Sequence, residues 1–470
     1  MSLYVTTAIP YVNAAPHLGH ALELVQADVL ARHRRLRGAP VRFLTGTDEN
    51  ALKNVSAAAA AGVPVTDFVA GNAARFANLA EVLDLSVDDF IRTGSDPRHA
   101  PGVERLWRQS AARGDFYQRA YEGLYCPGCE QFLSQDSCPE HRAAPEVVRE
   151  TNWFFRLSRY AGAVLDALES GRVRIEPATR RAEVLSFVRA GLADISVSRP
   201  AARAAGWGIP VPGDPTQVVY VWWDALAGYL TALDGSAYRE WWVASSERVH
   251  VIGKGIVRFL AVYWLALLLS AGRPLPTAIF VHDYLTVDGA KISKSTGTAV
   301  SPDDLVARYG VDAVRWWLLR DVARVGDTDF TEPRLVTRYH QDLANGLGNL
   351  VNRTLTLVHR LRAGIVACGT QPPRDLPDAV DRALAAFDFR AATDAIAAGV
   401  ADANRLIEAE RPWELDGDRL DEVLAALVAT CRTLARELSP FVPGGAARLS
   451  AQLGAGPRVG APRPAFLRLG

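Results

Sequence analysis

Residues 3–49 read LYVTTAIPYVNAAPHLGHALELVQADVLARHRRLRGAPVRFLTGTDE. The β-type residues from Leu3 to Ala8 predict a short strand, and Pro10, Asn13 and Pro16 end it. From Leu18 to Arg37 the pattern is helical, and Gly38 supplies the stop. Arg32, Arg34, Arg35 and Arg37 put positive charge at the end where the helix dipole favours it. Val41 to Thr45 predicts a second strand. Strand, helix and strand in this order predict a βαβ unit of a parallel sheet. Such sheets bind ligands beyond the carboxyl ends of their strands, beside helix N-termini. His17-Leu18-Gly19-His20 lies at the helix start and Gly46-Thr47-Asp48-Glu49 at the end of the second strand, so both are expected to open into one cleft. Imidazoles donate hydrogen bonds and glycine lets the backbone approach, which suits negative charge developing on phosphate. Taken alone, the tetrad also fits a capping histidine followed by a core histidine.

A second stretch bears on the same chemistry. Residues 288–295 read DGAKISKS, and Lys291 and Lys294 are two of only four lysines, against 48 arginines. Lysine is a compact, rotatable point charge and arginine a planar fork, so a site that follows moving phosphate oxygens favours lysine. Val287-Asp288-Gly289-Ala290 predicts a hairpin turn, and taken alone the stretch fits equally a surface hairpin whose Ser and Lys are solvated decoration. The third lysine, Lys254, stands between Gly253 and Gly255 at a predicted strand end and helix start, where a phosphate or carboxylate contact is expected. The fourth, Lys53, is expected on a solvated helix face.

With 470 residues the chain is too long for one core and divides into two to four domains. Its formal charge is zero, so no global basic field points to nucleic acid and any such contact must be local. The five cysteines, three of them clustered, argue against a secreted disulfide framework. No signal peptide is recognised, and the apolar run Phe259–Gly272 is too short to span a bilayer. A cytoplasmic protein is expected. Cys126-Pro-Gly-Cys129 and Cys138-Pro-Glu-His141, eight residues apart, can close a tetrahedron around structural Zn²⁺. Further strands are expected at 151–157, Val218 to Trp223 and Arg248 to Ile252, and a polar turn at Gly326 to Phe330. Beyond about Thr331 the strand signals fade. Leu347, Leu350, Val351, Leu355 and Val358 then recur at the spacing of a bundle core. Asn349 and Arg353 share a helix face there, and with Trp413 they can hydrogen-bond to and stack on splayed bases, although taken alone the set fits a buried Trp and a polar helix face better.

His17-Leu18-Gly19-His20 resembles the HIGH signature, and Lys291-Ile292-Ser293-Lys294-Ser295 the KMSKS signature, of class I aminoacyl-tRNA synthetases. They stand in the right order, about 270 residues apart, with a zinc-like knuckle between them. Ala8-Ile9-Pro10-Tyr11-Val12-Asn13, Tyr220-Val221-Trp222-Trp223-Asp224-Ala225 and Arg411-Pro412-Trp413 resemble the methionyl family in particular, and the similarity runs along essentially the whole chain. The resemblance implies an α/β fold: a Rossmann-like catalytic domain in two halves (1–113 and 218–285), a connective insertion with the knuckle (114–217), a KMSKS-loop and stem-contact region (286–330), and a helical anticodon-binding domain (331–470). It implies ATP and Mg²⁺ as well as Zn²⁺, with methionine and tRNA as partners. His17, Gly19, His20, Lys254, Lys291, Ser293 and Lys294 would bind ATP, with both histidines and Lys291 and Lys294 catalytic. Asp48 would hold the substrate ammonium, and Ala8, Ile9, Tyr11, Trp222, Ala225, Tyr229, Ile256, Leu260 and Trp264 would line the side-chain pocket. Asn349, Arg353 and Trp413 would meet the anticodon. No dimerisation module or membrane anchor is visible, so a monomer is expected.

Four positions depart from that pattern. Leu260 stands where a histidine normally faces the pocket, Asn50-Ala51 replaces His-Gly, and Gly255 replaces an acidic residue. They leave open a related enzyme with another amino acid or acceptor, or a divergent second copy. A silent tRNA-binding paralogue is disfavoured, because both histidines and both signature lysines are present.

Overall fold

The structure is a computed structural model describing residues 2–126, 131–133, 136–138, 145–292, 300–367 and 375–469, with the backbone alone for 131, 132 and 291. Leu3–Thr7 is buried at all five positions, as a parallel strand covered on both faces must be. It pairs in parallel with Val41–Thr47 on one side and Glu247–Gly253 on the other. The sheet has six parallel strands in the order Asp89–Arg92, Val41–Thr47, Leu3–Thr7, Glu247–Gly253, Ala278–His282, Arg174–Glu176. Strand order reverses between Leu3–Thr7 and Glu247–Gly253, so Ala8-Ile9 and Lys254–Ile256 follow the two strands at the switch point, where open α/β sheets bind ligands. The α/β class and Rossmann-like core expected from the sequence are present.

The chain forms two compact units: residues 1–16, 39–80 and 87–282, and residues 17–38, 81–86 and 283–470. The first contains the parallel sheet, an antiparallel sheet built on Phe116–Cys126 and Glu146–Phe155, and a small sheet of Ser198–Pro200, Pro210–Val211 and Asp214–Val219. The second is mainly helical. Leu347, Leu350, Val351, Leu355 and Val358 are buried there, as their spacing predicts. Two of the arginines assigned to the dipole of helix Leu18–Leu36 are anchors: Arg32 pairs with Asp28 at 2.8 Å, and Arg37 with the buried Glu437 at 2.7 Å. Asp28 also pairs at 2.7 Å with Arg315, both side chains wholly buried. Among the described residues no helix is long and apolar enough to cross a membrane.

Three expectations change. Val218 to Trp223 is not one strand: Asp214–Val219 is a strand, and Val221–Thr231 is a helix. Its β-branched and aromatic residues favour strands locally, but Trp223, Leu226, Ala227 and Leu230 recur at helical spacing and are all buried, and that burial prevails. The turn at Gly326 to Phe330 contains Thr328-Asp329, which pairs in parallel with Leu285-Thr286. Lys53 is half-buried, its ammonium 4.8 Å from the centre of the Tyr11 ring, a cation–π contact rather than a solvated position.

Candidate active site

The helical unit supplies the histidines. His17 is the N-cap of helix Leu18–Leu36, and its Nδ1 accepts the Gly19 N–H at 3.1 Å. His20 reaches back, its Nδ1 accepting the His17 N–H at 3.1 Å. This is a capping box made from two imidazoles. Both Nδ1 atoms being acceptors, each neutral ring carries its proton on Nε2, the atom that can donate to an anion. The rings stack, centroids 3.8 Å apart, and both are half-buried, so His20 is not a core histidine. The Leu18 N–H donates to the Val300 carbonyl at 2.9 Å, so this helix start is bonded to a residue that follows the lysine signature in sequence.

In the same unit, Leu285–Val287 and Ala290–Lys291 form the expected hairpin. Asp288 and Gly289 both have positive φ, 51° and 73°, as the tight hairpin turn demands. The sequence did not single out Asp329, which accepts the Gly289 N–H at 3.0 Å and the Thr286 hydroxyl at 2.8 Å. Those two donors, the Gly289 N–H foremost, hold its carboxyl below the usual carboxylate range. Ile292 is buried and its N–H donates to Leu285 at 3.1 Å, so the hairpin base is anchored on both sides. The Lys291 side chain, Ser293 and Lys294 lie outside the described residues.

The sheet unit brings the proposed amino-acid residues together at the switch point. The Asp48 N–H donates to Pro10 at 2.8 Å, and Tyr11 and Asp48 form a parallel bridge. Asp48 is 2 % exposed, a carboxylate poised to prefer a cationic partner to water. Tyr11 meets Trp222 edge-on at 6.2 Å. Ile9 presses on helix Val221–Thr231 where a Cβ on Gly228 would lie 2.7 Å from Ile9 Cδ1, so only glycine fits at 228 without a shift. Tyr229 contacts Trp264, their centroids 5.8 Å apart. Ala8, Ile9, Trp222 and Ile256 pack against the hydrophobic cluster that contains the buried Tyr229, Leu260 and Trp264. Ala225 and Lys254 are half-buried, Lys254 in the turn Lys254–Ile256.

Phe259, which the sequence also did not flag, stacks on Trp222 with centroids 3.5 Å apart and planes 14° off parallel. It begins a stretch, Phe259–Trp264, where the helix widens to π geometry, often a mark of a functional site. A cavity of about 210 Å³, lined in part by Trp222, Phe259, Tyr121, Phe154 and Tyr263, adjoins this pair.

His250 holds the wall from behind. Its Nε2 accepts the Trp264 indole N–H at 3.1 Å, which puts its own proton on Nδ1, 2.6 Å from the Thr6 hydroxyl. Burial pushes its pKa from 6.5 down to about 3. The unfolded chain therefore takes up a proton below pH 6.5 that the folded protein refuses until about pH 3. Stability from this group is complete above pH 6.5 and falls with acidification by about 1.4 kcal/mol per pH unit. His250→Gln should flatten the acid limb of a plot of denaturation midpoint against pH; an unchanged slope would show that other groups set it.

Cys126 and Cys138 are buried, whereas Cys129 and His141 lie outside the described residues. Among the described residues no three His, Cys, Asp or Glu side chains converge to hold a metal. Asn349 is exposed. Arg353, half-buried one turn on, donates to Asn404 Oδ1 at 3.2 Å. Trp413 is 43 % exposed in the short turn Pro412–Glu414, an unusual position for so large an apolar surface.

Comparison with known proteins completes the picture. The family described as tRNA synthetases class I (M) matches residues 3–146 and 136–355. The methionine–tRNA ligase of Brucella suis is 40 % identical over 469 residues, covering 95 % of this chain and 90 % of that protein. That of Mycobacterium tuberculosis is 40 % identical over 489 residues, covering 97 % and 92 %. The solved structure of Mycobacterium tuberculosis methionyl-tRNA synthetase in complex with methionyl-adenylate matches with a TM-score of 0.91 at 36 % identity, over 99 % of this chain and 100 % of that one. The apo form matches at 0.85 and 34 %, over 99 % and 98 %. A parallel sheet with its switch point, a two-histidine helix start and near full-length similarity thus agree, and the chain belongs to the class I (M) tRNA synthetases, the methionyl-tRNA synthetase family.

Proposed function

We propose that this protein joins methionine to its tRNA at the expense of ATP, through a methionyl-adenylate. One observation carries most weight: the buried Asp48 donates its backbone N–H to Pro10 and bridges to Tyr11, whose ring meets Trp222 edge-on. An ammonium ion suits the carboxylate, and a thioether packs well against aromatic rings. Asp48 binds the amino group, while Ile9, Tyr11, Trp222, Tyr229 and Trp264 enclose the side chain. The amino-acid carboxylate attacks the α-phosphorus of ATP, a P–O bond breaks and pyrophosphate leaves. Activation is then mainly a matter of position and charge. His17 and His20 donate from Nε2 to phosphate oxygens that gain charge in the transition state. Lys291, at the end of the anchored hairpin, and Lys294 neutralise the departing pyrophosphate, and Lys254 holds the nucleotide. A terminal ribose hydroxyl of tRNA next attacks the acyl carbon, releasing AMP.

Magnesium is expected to arrive with the nucleotide and to offset its phosphate charge. Cys126, Cys129, Cys138 and His141 form a sulfur-rich donor set suited to a closed, structural zinc site, which lends the insertion rigidity. In this reading the insertion spans 114–217, between catalytic halves 1–113 and 218–285, with the stem-contact region at 286–330 and the anticodon domain at 331–470. The enzyme works as a cytoplasmic monomer.

The direct test is exchange of labelled pyrophosphate into ATP across all twenty amino acids without tRNA. Exchange with methionine alone is expected; exchange with another amino acid would move the assignment to a related activating enzyme. Trp413→Ala should leave that exchange unchanged and lower tRNA charging by one to two orders of magnitude, about 1–3 kcal/mol for one lost stacking contact. Equal loss in both assays would make Trp413 a packing residue.

A further inference from the structure

We propose that Asn50 is a positioning residue that clamps the Asp48 carboxylate to the helix carrying the side-chain wall of the amino-acid site. The inference rests on the reading of Asp48, Trp222, Ala225 and Tyr229 as that site. The Asn50 backbone N–H donates to Asp48 Oδ1 at 3.2 Å. Its side-chain Nδ2 donates twice, to Asp224 Oδ2 at 2.6 Å and to the Thr93 carbonyl at 3.2 Å, which uses both amide hydrogens. Asp224 lies on helix Val221–Thr231 between Trp222 and Ala225 and is wholly buried. Its other oxygen, Oδ1, pairs with Nε2 of the equally buried His99, whose Nδ1 meets the Thr231 hydroxyl at 2.7 Å near the end of the same helix. From the other direction Asn54 Nδ2 donates to the Asp48 carbonyl at 3.0 Å.

A continuous set of hydrogen bonds therefore runs from Asp48 to the helix with the pocket aromatics, and Asn50 is its only link between them among the bonds above. The link needs a donor. A buried carboxylate faces position 50 at hydrogen-bond distance, so an acceptor there would repel it, whereas asparagine presents its amide nitrogen and turns its oxygen away. Position 50 then sets where the ammonium sits relative to the side-chain wall, and with it the affinity for the whole amino acid. The effect belongs in KM for methionine and not in KM for ATP.

The test uses the full-length enzyme in pyrophosphate exchange, with each KM measured from pH 6 to 8.5 and divided by the wild-type value. Asn50→Asp keeps the shape, removes the donor and sets a second carboxylate against Asp224. Around it stand Asp48 and Glu49 on its own loop, Arg92 paired with Glu49 at 2.6 Å, and His99 and Asp224 on the facing helices. KM for methionine should rise about 30-fold at pH 8, the scale of a lost charged hydrogen bond, with KM for ATP within about twofold. The defect should shrink towards pH 6, as two facing carboxylates share one proton. Asn50→His, which can still donate to Asp224, should stay within about threefold at every pH. Asp48→Asn is the reference. If it raises KM for methionine and Asn50→Asp does not, the clamp is overturned and the site stands. If neither moves it, the Asp48 assignment fails as well. A defect in Asn50→Asp that is uniform with pH, falls equally on both substrates and is not rescued by histidine would overturn the clamp in favour of general support of the fold.

Discussion

His20→Gln is expected to lower ATP–pyrophosphate exchange by about 100- to 1,000-fold, the cost of one preorganised donor to transition-state charge, while the melting temperature stays within about 2 °C. Glutamine is the natural N3 residue of a capping box, so it can still accept the His17 N–H that His20 accepts now. What it lacks is a ring with Nδ1 turned to the backbone and Nε2–H turned outward. The fall should lie in kcat, because the bond strengthens only as the phosphate gains charge. His17→Asn, which keeps the N-cap, should behave in the same way. Near wild-type exchange in both variants would remove the imidazoles from the reaction and leave them as caps.

The second large effect concerns stability. Arg315→Leu should cost about 3–5 kcal/mol, as breaking a buried ion pair from one side does, and lower the thermal transition of its unit by about 10 °C. The Arg315 guanidinium donates from Nε to Phe441 at 2.8 Å, from Nη1 to Leu83 at 2.9 Å and Asp84 at 3.2 Å, and from Nη2 to Asp28 at 2.7 Å and Pro440 at 2.9 Å. Lysine cannot reproduce that fork, so Arg315→Lys should recover little. In Arg315→Leu the Asp28 carboxylate keeps Arg32 but loses its buried partner. Asp28→Leu combined with Arg315→Leu should therefore be less damaging than the sum of the two single changes. Strict additivity in thermal denaturation would mean that the backbone carbonyls, and not the ion pair, account for the loss.

What could be read in advance followed from local signals. The βαβ start was legible because a strand, a glycine-stopped helix and a second strand succeed one another within 45 residues. The hairpin under Lys291 was legible because Asp288-Gly289 fits one turn geometry. The histidine pair could be placed at a helix start but not resolved into cap and ligand, since the two roles use different nitrogens of the same ring. Helix Val221–Thr231 was hidden by residues that favour strands, and the two-residue strand Thr328-Asp329 is too short to show a period. His250, Phe259 and Asp329 escaped notice, and Asn50 was marked as a departure without a role, for another reason. Each works through a partner fixed by the fold: Asn50 meets Asp224 across 174 positions and His250 meets Thr6 across 244. Spacing along one chain contains no trace of such pairs.

The placement of the first strand affects how the protein is made. Leu3–Thr7 takes Glu247–Gly253 as one of its two neighbours, with Leu3 opposite Glu247. At about 5–20 residues per second, a typical rate of synthesis, the second neighbour leaves the ribosome roughly 12 to 50 s after the first strand. Through that interval the nascent chain can pair Leu3–Thr7 with Val41–Thr47, but its other edge, which is buried in the finished protein, lacks its native partner. Long-range parallel pairing is slow and exposed to aggregation for this reason. Yield in the cell should accordingly respond more sharply to changes in Glu247–Gly253 than the melting temperature of the finished protein does.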